Sequence, residues 1–67
     1  GASDEAEETL APLTQTHDRT RAATAWSWIG VSRLARGDRA GARAASDEAV
    51  KLDGDEPVAR YVRANLR

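Results

Sequence analysis

Apolar residues in this chain recur at helical spacing, and the few β-branched residues form no alternating run that would mark a strand. The clearest helix spans 18–36. With one residue every ~100°, Ala22, Trp26, Ile29, Gly30 and the stem of Arg33 share one side. Thr24, Ser27, Val31, Leu34 and Ala35 share a second, and Trp28 lies beyond them beside Ala35. So wide an apolar arc predicts two neighbours, or one neighbour and a ligand. The next helix, 38–52, carries a stripe of mostly small residues: Ala42, Ala45, Ser46, Ala49 and Leu52. A closing helix over 56–66 offers Val58, Tyr61, Val62 and Leu66 to the hairpin and turns Arg60, Arg63 and Arg67 to water.

Punctuation agrees with these spans. Asp18 or Thr20 can cap the first helix, and Asp38 the second. Gly37 suits the left-handed position that ends a helix, Gly54 closes the second helix, and Pro57 is tolerated in a first turn. Gly41 falls inside a helix, where alanine is expected to gain up to ~1 kcal/mol if space permits. A leading helix over 4–16 starts with acids that suit the positive end of a helix dipole, capped by Ser3 or Asp4. Pro12 kinks it or ends it before Ala11. With Leu10 and Leu13 as its strong anchors, it is expected to be the weakest part of the domain. The fold class is therefore all-α: one small domain over 1–67, an antiparallel helical hairpin with a closing helix and a kinked leading helix.

Small residues let two backbones approach, and a large side chain such as Trp26 fills the gap they leave. This order of large and small residues resembles the tetratricopeptide repeat, a helix–turn–helix unit of ~34 residues. Trp26, Ile29 and Gly30 match its opening, and Gly37-Asp38 its turn. Ala42 and Ala49 match its two small positions, and Leu52 its last apolar one. The resemblance runs from about Thr24 to Gly54. Arg33 stands where the family has a large aromatic, Ser46 replaces a bulky residue, and Gly54 takes the place of a proline. Glu8 stands one repeat period before Ala42, where a small residue is expected, so the leading segment is at best a degenerate second helix of a previous unit. The closing helix resembles the polar cap that ends such arrays.

Composition narrows the classes. The 67 residues hold no cysteine and one histidine, His17, which excludes a disulfide framework, a thiolate zinc site and a histidine metal cage. A formal charge of -1 gives no general drive toward nucleic acid or membrane, and no apolar run reaches the ~20 residues of a spanning helix. The expected setting is cytoplasmic. The chain starts at Gly1 without methionine, so it reads as part of something larger or as a processed protein. Abundant alanine and arginine, with Lys51 as the lone lysine, fit a high-GC bacterial genome.

The search for chemistry comes back empty. Ser27, Ser32 and Ser46 lack a nucleophile motif, and His17 beside Asp18 makes a poor triad. Asp53, Asp55 and Glu56 read as solvated capping acids, not a calcium loop. The stretch RGDRAG is not a phosphate loop, and its Arg-Gly-Asp triplet is explained by the interhelical turn. Arg33, Arg36, Arg39 and Arg43 cluster at that turn, but the helix after it offers mainly alanine with Asp47 and Glu48, so nucleic acid is not expected. No catalysis, cofactor, metal or membrane contact is expected. Ligands of the resembled family lie in a groove lined by the first helix of each repeat, which here implies Thr24, Ser27, Val31, Leu34 and Ala35. Trp28 joins them, either as a ligand contact or packed on the leading helix. The expected function is protein–protein interaction, with a peptide or helix bound by an apolar groove. The alternative is a docking domain of a multi-enzyme assembly that pairs chains through acidic leading and basic closing segments, a homodimer included.

Overall fold

The computed structural model describes the backbone of residues 2–66 and the side chains of residues 5–66. The elements in order are α1 (Ala2–Leu10), a 3-10 segment (Ala11–Gln15), α2 (Arg19–Ala35), α3 (Arg39–Leu52) and α4 (Pro57–Ala64). No strand occurs among the described residues.

Three of the helices begin on a carboxylate. Asp18 accepts from the Arg21 N–H at 3.1 Å, Asp38 from Gly41 at 2.8 Å, and Glu56 from Ala59 at 2.7 Å. Each satisfies one amide that the helix itself leaves open, and each puts negative charge at the positive end of the dipole. The two aspartates match the capping roles read from the sequence. Glu56 is the surprise: its longer side chain caps from a buried position, 4% exposed.

The turn between α2 and α3 is a Schellman motif. Gly37 N–H donates to Leu34 O at 3.0 Å and Asp38 N–H to Arg33 O at 2.9 Å, with Gly37 at φ 86°. Gly54 has no such role, because Gly37 is the one positive-φ residue among those described. α3 closes instead on Asp53, whose N–H donates to Ala49 O and whose carboxylate accepts from the Asp55 N–H. Arg19 supplies the rest, donating to the Lys51 and Leu52 carbonyls at 3.1 and 3.4 Å. That contact joins the start of α2 to the end of α3. At the other end Arg33 donates to Gly41 O, so the hairpin is antiparallel.

Alanine builds the core. Ala23, Ala42, Ala45, Ala49 and Ala59 are fully buried, and Val62, Ser27 and Ser46 are the largest side chains buried completely. Such a core draws the helices together, because small side chains let their backbones approach. Trp26 packs against the cluster of Ala23, Ala49 and Ala59, together with Val50 and Leu52. Val31 and Leu34 pack against a second cluster, Ala42, Val62 and Leu66. At Gly30 an added methyl would lie 3.4 Å from Ala42 O and 3.5 Å from the Val62 methyls. The helices therefore touch closely there, yet with room for one carbon more.

Several sequence expectations need correcting. The closing helix is shorter than 56–66; Asn65 caps it, and Leu66 is buried beyond its end. Tyr61 does not cover the hairpin, being 57% exposed, because Ala59 and Val62 take the inward positions. Arg67 lies outside the described residues. Of the two outcomes expected of Pro12, the second holds and the kinked helix over 4–16 does not form: α1 stops at Leu10, before Ala11, and Pro12, which cannot donate a backbone hydrogen bond, sits in the tighter 3-10 segment that follows. α1 also starts by Ala2, so Ser3 and Asp4 lie within its first turn and not ahead of it.

Candidate functional site

α2 is the helix every other helix touches; α1 and the 3-10 segment pack on α2, and α4 packs on both α2 and α3. Its wide apolar arc is thereby divided. The N-terminus of α4 meets α2 at Ser27, whose hydroxyl lies 2.7 Å from its own Ala23 carbonyl and 2.8 Å from Glu56 Oε2. A serine hydroxyl has one proton to donate, and here two acceptors hold it. Val62 then reaches Gly30, one turn further along α2.

Opposite α4, α1 is held by charge. Glu7 receives Arg33 Nε on Oε1 and Arg36 Nη1 on Oε2, both at 2.9 Å. Arg33 also donates to Gly41 O at 3.2 Å, so one guanidinium ties α1, α2 and α3. Position 33 is thus bonded at its tip and not filled by a ring. Arg36 lies 3.6 Å from Asp38 as well.

Beside this clamp α1 and α2 part to leave an open groove of about 580 Å³. Trp28, Val31 and Ser32 form its α2 wall, and Glu5, Ala6, Thr9 and Leu10 its α1 wall. Trp28 is 49% exposed, with one side in the groove and the rest toward solvent.

Of the six residues singled out from the sequence, Trp28 and Val31 line this groove. The other four do not join them. Ser27 is fully buried under the start of α4, so it is not on an open face. Leu34 packs toward Ala42, Val62 and Leu66. Thr24 is half-buried, its hydroxyl donating to Thr20 O of its own helix. Ala35 is exposed at the end of α2. The stripe assigned by resemblance to a ligand groove is thus partly covered by the chain's own closing helix. What sequence reasoning missed is the α1 wall. Ala6 and Leu10 at i, i+4 were a visible apolar pair, but nothing in the pattern says which side of α2 they face.

No metal-holding group of three or more ligand side chains occurs among the described residues. A serine beside a carboxylate is the nearest approach to a catalytic pair, and Ser27 and Glu56 are sealed from any substrate. His17 is exposed in the bend before α2. Among the described residues no helix is long and apolar enough to cross a membrane. The chain matches no known protein family, no curated protein and no solved structure.

Proposed function

We propose that this protein is a non-catalytic helical module that binds another protein, taking an apolar helix face into the groove between α1 and α2. The observation that carries the reading is Trp28. A chain with two tryptophans leaves one of them half-exposed over a groove whose other wall is Ala6, Thr9 and Leu10. Half-buried aromatics beside apolar pockets are where binding energy concentrates. Glu5 lines the groove and Glu8 is exposed on the same helix, so the fitting partner carries basic residues beside its apolar stripe. The tetratricopeptide-like hairpin enters this proposal as the rigid support, with α4 as its terminal cap.

The test uses a synthetic amphipathic leucine–lysine helix as the probe and its leucine–glutamate counterpart as control. Titration calorimetry should show the lysine peptide binding more tightly. Trp28→Ser should weaken it at least ~10-fold, the scale of a hot-spot residue, with circular dichroism unchanged. Equal binding by the variant removes the groove from consideration. A variant that unfolds makes Trp28 a packing residue of α1.

A docking domain that pairs chains is the second reading. Its support is the separation of charge, with Glu5 and Glu8 exposed on α1 and Arg43, Arg60 and Arg63 exposed on α3 and α4. A light-scattering mass of twice the chain, returning to one chain in high salt, would favour it.

A further inference from the structure

A second concavity, of about 420 Å³, lies between α3 and α4. Its walls are Arg43 of α3 and Arg60 and Arg63 of α4, with Ala64 between them. Arg60 and Arg63 stand one turn apart on α4, so their side chains share a face. None of these three guanidinium groups is ion-paired among the described residues. Asp47, one turn beyond Arg43 on α3, makes no ion pair with it either.

The contrast with the rest of the chain is chemical. Arg33 and Arg36 share Glu7, and Arg19 caps α3. The net charge is -1 with 11 acidic residues in the chain, yet no acid is among the described residues that line this concavity with the three arginines. Their mutual repulsion is relieved by an anion, and the short Ala64 side chain leaves the space for one.

We infer that this pocket binds a phosphate monoester dianion. A carboxylate offers two oxygens and one negative charge, enough for two guanidinium groups at most, one on each oxygen, as Glu7 shows with Arg33 and Arg36. A phosphate monoester offers three terminal oxygens and close to two charges, so each arginine can donate to its own oxygen. The pocket opens between α3 and α4, apart from the Trp28 groove, and the inference stands whether or not that groove binds a helix.

The experiment is an NMR titration of the arginine Nε–Hε resonances at low salt. The probes are glycerol phosphate, a phosphoserine peptide, sodium acetate and a thymidine oligonucleotide. Saturable shifts at Arg43, Arg60 and Arg63 with both monoesters, much weaker with acetate, are expected. Arg60→Ala with Arg63→Ala should weaken them at least ~10-fold, as expected for lost charge-assisted hydrogen bonds. Ala64→Leu should do the same by filling the space while leaving the charge intact. If the double variant unfolds, Arg43→Ala serves in its place. A peptide binding at least ~10-fold tighter than glycerol phosphate, the step set by ~1.4 kcal/mol, identifies a phosphorylated protein as the source, and equal binding a small phosphate ester. No saturable shift with either monoester, or equal shifts with acetate, overturns the inference. An oligonucleotide that binds more tightly than both, with affinity falling steeply in salt, overturns it in favour of nucleic acid.

Discussion

The two sides of α2 are built by opposite means. Toward α3 and α4 the contacts are methyl against methyl, with Ala42, Ala45, Ala49 and Ala59 fully buried, and the buried polar groups Ser27 and Glu56 satisfy each other. Toward α1 a few polar contacts do the holding: Glu7 grips Arg33 and Arg36 while Trp28 stays half-exposed and Leu13 is 41% exposed. Close packing of small residues leaves little space to adjust, so it secures the fold and offers no binding surface. A charge clamp over an unfilled groove covers little apolar surface, so α1 is held by a few side chains rather than by a packed face. Stability and recognition are thereby placed on different faces of one helix.

The largest break in this contrast should come from the alanine side. Ala42→Leu or Ala49→Leu forces several extra carbons into fully buried positions. Each is expected to cost ~1–3 kcal/mol by overpacking, read as a lowered midpoint in urea or thermal unfolding. Unchanged midpoints would mean the two faces do not differ in packing.

Glu56→Ala follows closely. It removes the cap of α4 and leaves the Ala59 amide without its buried acceptor, while the Ser27 hydroxyl keeps only the Ala23 carbonyl. About 2 kcal/mol is expected from these lost hydrogen bonds. Ser27→Ala should cost less, since the glutamate keeps the Ala59 amide. Urea unfolding of the two variants checks the order.

The hairpin turn gives an unequal pair of effects. Gly37→Val places a β-branched residue at positive φ and should cost ~1–3 kcal/mol. Gly41→Ala should not show the gain expected of a helix interior. Its new methyl would overlap the Asp38 carboxylate, with Asp38 Cγ only 2.7 Å away, and that carboxylate caps Gly41's own amide. The lost cap and the gained propensity, each ~1 kcal/mol, nearly cancel. Thermal unfolding in which Gly41→Ala is clearly stabilised would show that Asp38 is dispensable.

A modest effect should come from Glu7→Gln, which keeps the shape and removes the charge. A global loss of ~1 kcal/mol is expected, because the carboxylate is 20% exposed and serves two arginines. Amide exchange of 5–10 should nevertheless speed up while that of Ile29 to Leu34 holds. Protection of 5–10 equal to that of α2 in the unaltered protein would make α1 as firmly held as the core.

Much of this architecture was legible as sequence. Asp18, Asp38 and Gly37 stand where capping chemistry needs them, and they bound α2 and α3 to within a residue or so. The buried alanines of α3 were visible as a stripe at helical spacing. Glu56 was not, because a glutamate before a proline reads as an exposed acid until something is known to lie over it. The candidate groove was legible only in Trp28 and Val31.

What the chain determined by itself is therefore local: which segments are helices, where they start and stop, and which residues share a face. These follow from backbone hydrogen bonding and the 3.6-residue period, both of which act within a few residues. Which neighbour covers each face was decided by the assembled structure. The arc around α2 is apolar over most of its width, so its period could not say that α4 would take Ser27 and Leu34 while α1 took Trp28. That choice rests on contacts far apart in sequence, Ser27 with Glu56 and Glu7 with Arg33, which exist only once the helices have met.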